Sequence, residues 1–146
     1  MVRDLTSYSL QDCIRDGLIR KIPKSTVRYE NSLSAAEKWL IKAKTTYDAR
    51  ACNASMMCAY LTRFHSSRSI LYRDGYREKS HYCVARYLET EYAIKGALEI
   101  KWVDILDHYR ETRHRSQYDI NLYTTEEEAK EALDSAGKFL ERIKKL

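Results

Sequence analysis

Helix-breaking residues are scarce in this chain. A single proline, Pro23, and four glycines are spread over 146 residues. Long helices are therefore easy to build and a loop-rich β fold is disfavoured, because these two residue types interrupt helices most effectively. The clearest helix is the last. Thr125 and Glu128 form a capping box, and Ala129, Ala132, Leu133, Ala136, Phe139, Leu140 and Ile143 follow at helical spacing. Its acidic first turn and the basic Arg142, Lys144 and Lys145 complement the helix dipole at opposite ends.

The same logic divides the rest of the chain. Ser34 with Glu37 reads as the capping box of a first main helix, with Leu33 as hydrophobic staple and Trp39, Leu40, Ala43 and Tyr47 on its packing face. A second helix turns Met57, Tyr60, Leu61, Phe64 and Leu71 inward and stops at Asp74-Gly75. A third runs from Ser80 to about Tyr92 through Val84, Tyr87 and Leu88, and a fourth covers Trp102 to Asp119. No stretch alternates with the period of a strand. The expectation is an all-α, up-and-down bundle of about five helices over residues 32–146. Residues 1–31 read as an N-terminal extension. In it Ser9 caps a short helix with Leu10, Cys13, Ile14 and Leu18 on one face, and residues 23–31 form a linker.

Composition narrows the setting. With 32% charged and 44% hydrophobic residues the chain is globular rather than disordered. No apolar run approaches the roughly 20 residues that span a bilayer, and the N-terminus is too polar for a signal peptide. A cytoplasmic protein without a membrane partner is expected. Cys13, Cys52, Cys58 and Cys83 show no CxxC pairing and read as small buried thiols. A set drawn from Cys58, His65, His81 and Cys83 matches no standard zinc spacing, so neither metal nor cofactor is expected. The net charge of +5 suits a nucleic-acid or acidic protein partner without demanding one, and twelve tyrosines serve equally for interfaces and for base stacking.

The fourth helix carries the main functional signal. Trp102, Ile105, Leu106 and Tyr109 share one face, and the next position on it is Arg113, within roughly 20° of the stripe's centre. Arg110 lies one turn before, His114 further round, and Tyr118 closes the segment. A guanidinium cannot shed its proton, so an arginine at a core position needs an anionic partner or an open groove. Two explanations stand. Arg113 is structural and pairs with a carboxylate, such as Asp119 nearby or Glu37 or Glu89 from another helix. Alternatively, this end of the helix handles phosphate. His65, beside an apolar face, and His81, near a helix start, read as packing or capping groups.

The run at residues 58–88, CAYLTRFHSSRSILYRDGYREKSHYCVARYL, resembles the core of the HEPN domain family. It has the family's AYYAxFHAAxALL-like helix, Gly turn and Lys-x-His step at Ala59, Tyr60, Phe64, His65, Ile70, Leu71, Gly75, Lys79 and His81. The fourth helix is similar to the family's arginine-containing motif helix, and Ala136, Phe139 and Ile143 match its tail; the likeness covers about residues 32–146. It implies a small helical homodimer with the motif helices facing across a cleft. In the family this often means a metal-independent ribonuclease toxin encoded beside a small nucleotidyltransferase antitoxin. The family motif is an Arg, four to six residues, then a His, often with a Tyr two positions on. The His would serve the ribose 2′-hydroxyl or leaving group, and the Arg the phosphorane.

This chain departs from the motif. With Tyr118 in the tyrosine position the histidine slot holds Ser116, and counting from Arg113 the window 118–120 is Tyr-Asp-Ile. Serine has no accessible pKa for proton transfer. Three readings follow. The first is a dimeric interaction module working with a nucleotidyltransferase in a toxin–antitoxin or nucleotide-signalling pair, with Tyr118 as the position for nucleotidylation. The second is an active ribonuclease in which Arg110 and Arg113 hold the RNA phosphate, His114 transfers protons and Tyr118 orients substrate. The third is a structural helical adaptor.

Overall fold

The structure, a computed structural model, describes residues 7–118 and 123–146, and of residues 115–118 the backbone alone. In chain order the elements are α1 (Leu10–Arg15), β1 (Ile19–Lys21), α2 (Thr26–Asp48), α3 (Cys52–Asp74), β2 (Tyr76–Glu78), α4 (His81–Leu88), α5 (Ile100–Tyr118) and α6 (Glu126–Lys144). A π-helical turn, Glu89–Ala93, extends α4. The architecture is the expected all-α bundle. No helix among the described residues is long and apolar enough to cross a membrane.

α3 is the central post, packed on by α2, α4, α5 and α6. Its burial on nearly every side explains why its sequence looks only weakly amphipathic. Ser55, Thr62, Ser66, Ser67 and Ser69 are all buried along it. Thr62, Ser66 and Ser67 donate to the carbonyls of Cys58, Thr62 and Arg63, four residues back, so they enter the core without orphaned hydroxyls. Tyr60, Phe64, Leu71, Val84, Leu88, Val103, Leu106, Phe139 and Ile143 form the main core. A second cluster, rich in alanine, joins α2, α3 and α6 through Ala43, Ala59, Ala132 and Ala136. Small side chains there let the helices approach closely.

Gly75 ends α3 in the left-handed region at φ +93°, and a Cβ there would stand 2.9 Å from the Ile22 carbonyl oxygen. The close approach exists because the chain on either side of Gly75 runs against residues 19–22. β1 and β2 pair antiparallel, Ile19 opposite Glu78 and Lys21 opposite Tyr76. This two-stranded ribbon is the one strand feature among the described residues, and sequence reading missed it. Its strands are only three residues long, too short for a period-2 signal to emerge.

Two further expectations are corrected. The segment 23–31 is not a linker: α2 begins at Thr26, where the Ser25 hydroxyl caps the Arg28 amide at 3.0 Å. Ser34 then lies inside the helix, because nothing between Ser25 and Ser34 breaks it. Ser32 in that segment is buried and donates to the His65 carbonyl at 2.7 Å. The cysteines are not four thiols either. Cys13 of α1 and Cys83 of α4 are disulfide-bonded, while Cys52 and Cys58 are free. With the ribbon, that bond fixes α1 to the α4 side of the bundle, where Leu10 joins the main core.

Candidate functional site

α5 enters the core through Val103 and Leu106, and the same stripe continues outward as Arg110 and Arg113, both half-buried. The two arginines have separate surroundings. Arg110 sits over the Tyr82 ring at 5.0 Å and within reach of Asp107 at 3.3 Å and Glu111 at 3.6 Å. Asp107 also pairs with Arg86 of α4. This ionic cluster borders a cleft of about 790 Å³ between α1, α4 and α5, so Arg110 is largely neutralised locally.

Arg113 faces other chemistry. Its guanidinium lies 5.0 Å from the centre of the Tyr60 ring, and its Nη1 is 3.5 Å from Nδ1 of His81. Its Nε is buried and has no hydrogen-bond partner among the described residues. Nor does a carboxylate among the described residues pair with it. Of the partners expected from sequence, Glu37 pairs with Lys144 at 2.8 Å and Glu89 lies 3.9 Å from Arg86. Asp119 lies outside the described residues.

His81 is brought here by local structure. β2 ends at Glu78, the Lys79 amide bonds to the Leu18 carbonyl, and Ser80 caps α4, leaving His81 as the first helical residue. Its ring stacks on Phe64 at 3.9 Å, and Nδ1 lies 2.6 Å from the Tyr60 hydroxyl. Burial and then the nearby Arg113, Arg68 and Arg110 charges pull its pKa down to about 4, so the ring is neutral at pH 7. Burial likewise holds the Tyr60 phenol protonated, up to about 12. His65 on the next face of α3 is also shifted downward, by burial and then by Arg68.

The tautomer follows from the donors. Arginine can only donate, and the neutral Tyr60 phenol has a proton to give. Both point at Nδ1, which is therefore the acceptor, and the ring proton sits on Nε2. His81 is thus held at Nδ1 by Tyr60 and Arg113 and is neutral at pH 7.

His114 is exposed, one residue past Arg113. Tyr118 ends α5, and its side chain lies outside the described residues. The structure thus brings Arg113 together with His81 and Tyr60, and sets Arg110 in a different cluster. His81 and Tyr60 were present in sequence as members of a Lys-x-His step and of an apolar helix face. Nothing in the spacing linked them to α5. Arg63 was also missed: it is fully buried in α3, with Nη2 donating to the Ala132 carbonyl at 2.7 Å and the guanidinium 3.8 Å from the Tyr109 ring centre. No three His, Cys, Asp or Glu side chains among the described residues gather as a metal site would require, and the disulfide removes Cys83 from any such set.

The family model of the HEPN domain matches residues 29–146. The chain is also similar to the "Putative toxin MJ0605" of Methanocaldococcus jannaschii, with 26% identity over 113 residues, 77% of this chain and 84% of that protein.

Proposed function

Because this chain belongs to the HEPN domain family, we propose that it is the toxin-like member of a two-protein system. In this reading it is a homodimer that engages a minimal nucleotidyltransferase in the cytoplasm, with RNA or a nucleotide as further ligand and no cofactor. The working face is the outer half of α5, with Arg110 and Arg113 as anion-binding groups and Tyr118 as the residue a nucleotidyltransferase would modify. The observation that carries it is the environment of Arg113. Its guanidinium has no carboxylate partner among the described residues and stands beside an imidazole that is neutral at pH 7. Such a pair suits holding an anion better than moving protons. The similarity to a protein named as a putative toxin supports the toxin-like role. Both sulfurs of the Cys13–Cys83 bond are fully buried, which shields it from thiol exchange in a reducing compartment.

A second reading is favoured by the exposure of His114 beside Arg113. There the chain cleaves RNA without metal, Arg110 and Arg113 hold the scissile phosphate, and His114 is the proton-transfer group. One assay separates the two: RNA cleavage in EDTA by the wild type and by Arg110→Ala, Arg113→Ala and His114→Ala, alongside light scattering for the dimer. The first reading expects no cleavage, a dimer, and loss of nucleotidyltransferase binding in Arg113→Ala. Wild-type cleavage abolished by His114→Ala in a folded protein would overturn it in favour of the ribonuclease.

A further inference from the structure

We infer that the groove between α2, α6 and the start of α5 binds a single-chain carboxylate, a free fatty acid. Its alkyl chain lies along α6 over Gly137, and its head group sits among the rim lysines. Trp102, which lines this groove, is roughly 16 Å along α5 from Arg113. The inference is therefore independent of the reading of the α5 arginines.

α2 and α6 run antiparallel, with Glu37 paired to Lys144 near one end and Arg50 to Glu126 near the other. Where the start of α5 meets them lies a groove of about 950 Å³. Leu133 and Gly137 of α6 line it with Leu40, Ile41 and Tyr47 of α2 and Trp102 of α5. Ile41 is left 66% exposed.

Gly137 is the residue the fold does not explain. It lies in the interior of α6, where glycine is less stable than alanine. Its φ is not positive, and an added Cβ would meet only Leu40 Cδ2, at an ordinary 3.9 Å. Neither backbone nor packing demands the glycine. Its missing side chain leaves the groove open along α6, which is what an occupant needs.

The charges select the head group. Six cations and three carboxylates line the groove. Lys130 pairs with Asp134 at 3.0 Å, Arg142 with Glu99 at 3.0 Å, and Glu141 with Lys144 at 3.4 Å, while Asp48 stands near Lys130. Lys44, Lys138 and Lys145 pair with no carboxylate among the described residues, and Lys101 stands over the Trp102 ring at 5.1 Å. Such lysines lay apolar stems along an alkyl chain and bring point charges to its carboxylate.

The dimensions select the body. A volume of about 950 Å³ spread over roughly 22 Å of α6 gives a mean cross-section of roughly 43 Å². That is about half the cross-section of a helix with its side chains, about 10–12 Å across. An alkyl chain lies within the groove, whereas a partner helix would ride on its rim.

The experiment is calorimetric titration of the full-length protein with dodecanoate below its micelle concentration. Acetate, dodecyltrimethylammonium and an acidic amphipathic helical peptide are the comparison ligands, and light scattering follows the oligomeric state. The expected result is saturable binding of one dodecanoate per chain, with none of acetate or dodecyltrimethylammonium. Gly137→Leu, which fills the groove, should keep its helical circular dichroism and weaken binding at least tenfold. Reversing two rim charges in Lys44→Glu with Lys138→Glu should weaken it roughly tenfold. Gly137→Ala should raise Tm by about 2–4 °C; a fall would show that the fold needs the glycine and overturn the argument from it. Unchanged dodecanoate affinity in folded Gly137→Leu would overturn the site. Equal binding of dodecyltrimethylammonium, or tighter binding of the peptide, would overturn the ligand class. A change of oligomeric state in Gly137→Leu would assign the groove to a second copy of the chain, and no dodecanoate binding at all would overturn the whole inference.

Discussion

Arg63 offers the sharpest test of how this bundle is held together. It is fully buried, with one hydrogen bond to the Ala132 carbonyl, stacking on Tyr109, and no partner for Nε or Nη1 among the described residues. Burial lowers its pKa from the usual arginine range to about 10. For a base the sign is clear: the folded state resists the charge, so the penalty is fully present at neutral pH and lifts only as pH rises through about 10 toward the unfolded value. At about 1.4 kcal/mol per pH unit, holding the charge costs on the order of 3 kcal/mol. A hydrogen bond from a charged donor returns about 1.5–3 kcal/mol and a desolvated cation–π contact about 2 kcal/mol. The terms nearly cancel. Arg63→Met, which keeps volume and drops the charge, should therefore change unfolding free energy by less than ~1.5 kcal/mol, because apolar replacement of buried charge is often neutral or stabilising. Ala132 lies inside α6, so its carbonyl keeps a helical partner when the guanidinium goes. Arg63→Ala leaves a cavity and should cost at least ~2–5 kcal/mol. Urea denaturation followed by circular dichroism, at one fixed protein concentration, measures both. A loss of ~3–5 kcal/mol in Arg63→Met, the mark of a broken buried ion pair, would refute the reasoning.

Two other outcomes follow from the geometry. His81 and His65 both have depressed folded pKa values, that of His81 about 4. The unfolded chain takes up these protons near pH 6.5 and the folded one does not. Stability should thus fall as pH drops from 6.5 toward 4, by about 1–2 kcal/mol at half-buried His81 after allowing for solvent screening, and His81→Gln should flatten that part of a urea-midpoint-versus-pH curve. The Cys13–Cys83 bond closes a loop of sequence separation 70, for which chain entropy gives about 4 kcal/mol. Dithiothreitol, or Cys13→Ser with Cys83→Ser, should lower the urea midpoint accordingly. A change below ~1 kcal/mol would mean that the ribbon and α1 packing already hold the N-terminal segment.

The fold was legible where one helix buries one face. In α6 all seven residues read as core, from Ala129 to Ile143, are buried, and Thr125 caps the Glu128 amide as its spacing required. The stop at Gly75 was legible because a left-handed C-cap selects glycine chemically. The start of α2 was not. Ser34 and Ser25 both satisfy a local capping rule, and the choice between them depends on Ser32 and Tyr29 packing against the rest of the bundle. α3 was half legible: its apolar side was read, but a helix buried all round admits serines and an arginine whose satisfaction is local or cross-helix.

The candidate site divides the same way. Sequence alone determined that α5 carries its apolar stripe into Arg110 and Arg113, because periodicity along one helix is a property of the chain itself. It could not determine which arginine pairs with a carboxylate among the described residues, since Asp107, only three residues before Arg110, serves one of them and Glu37 is taken by Lys144 from α6. Nor could it bring His81 to Arg113 across 32 residues. Tertiary structure decided that, through a capped helix start set beside Phe64 and Tyr60 by a three-residue ribbon. Local rules fix what each element is; charge compensation and tautomer depend on neighbours that only packing supplies.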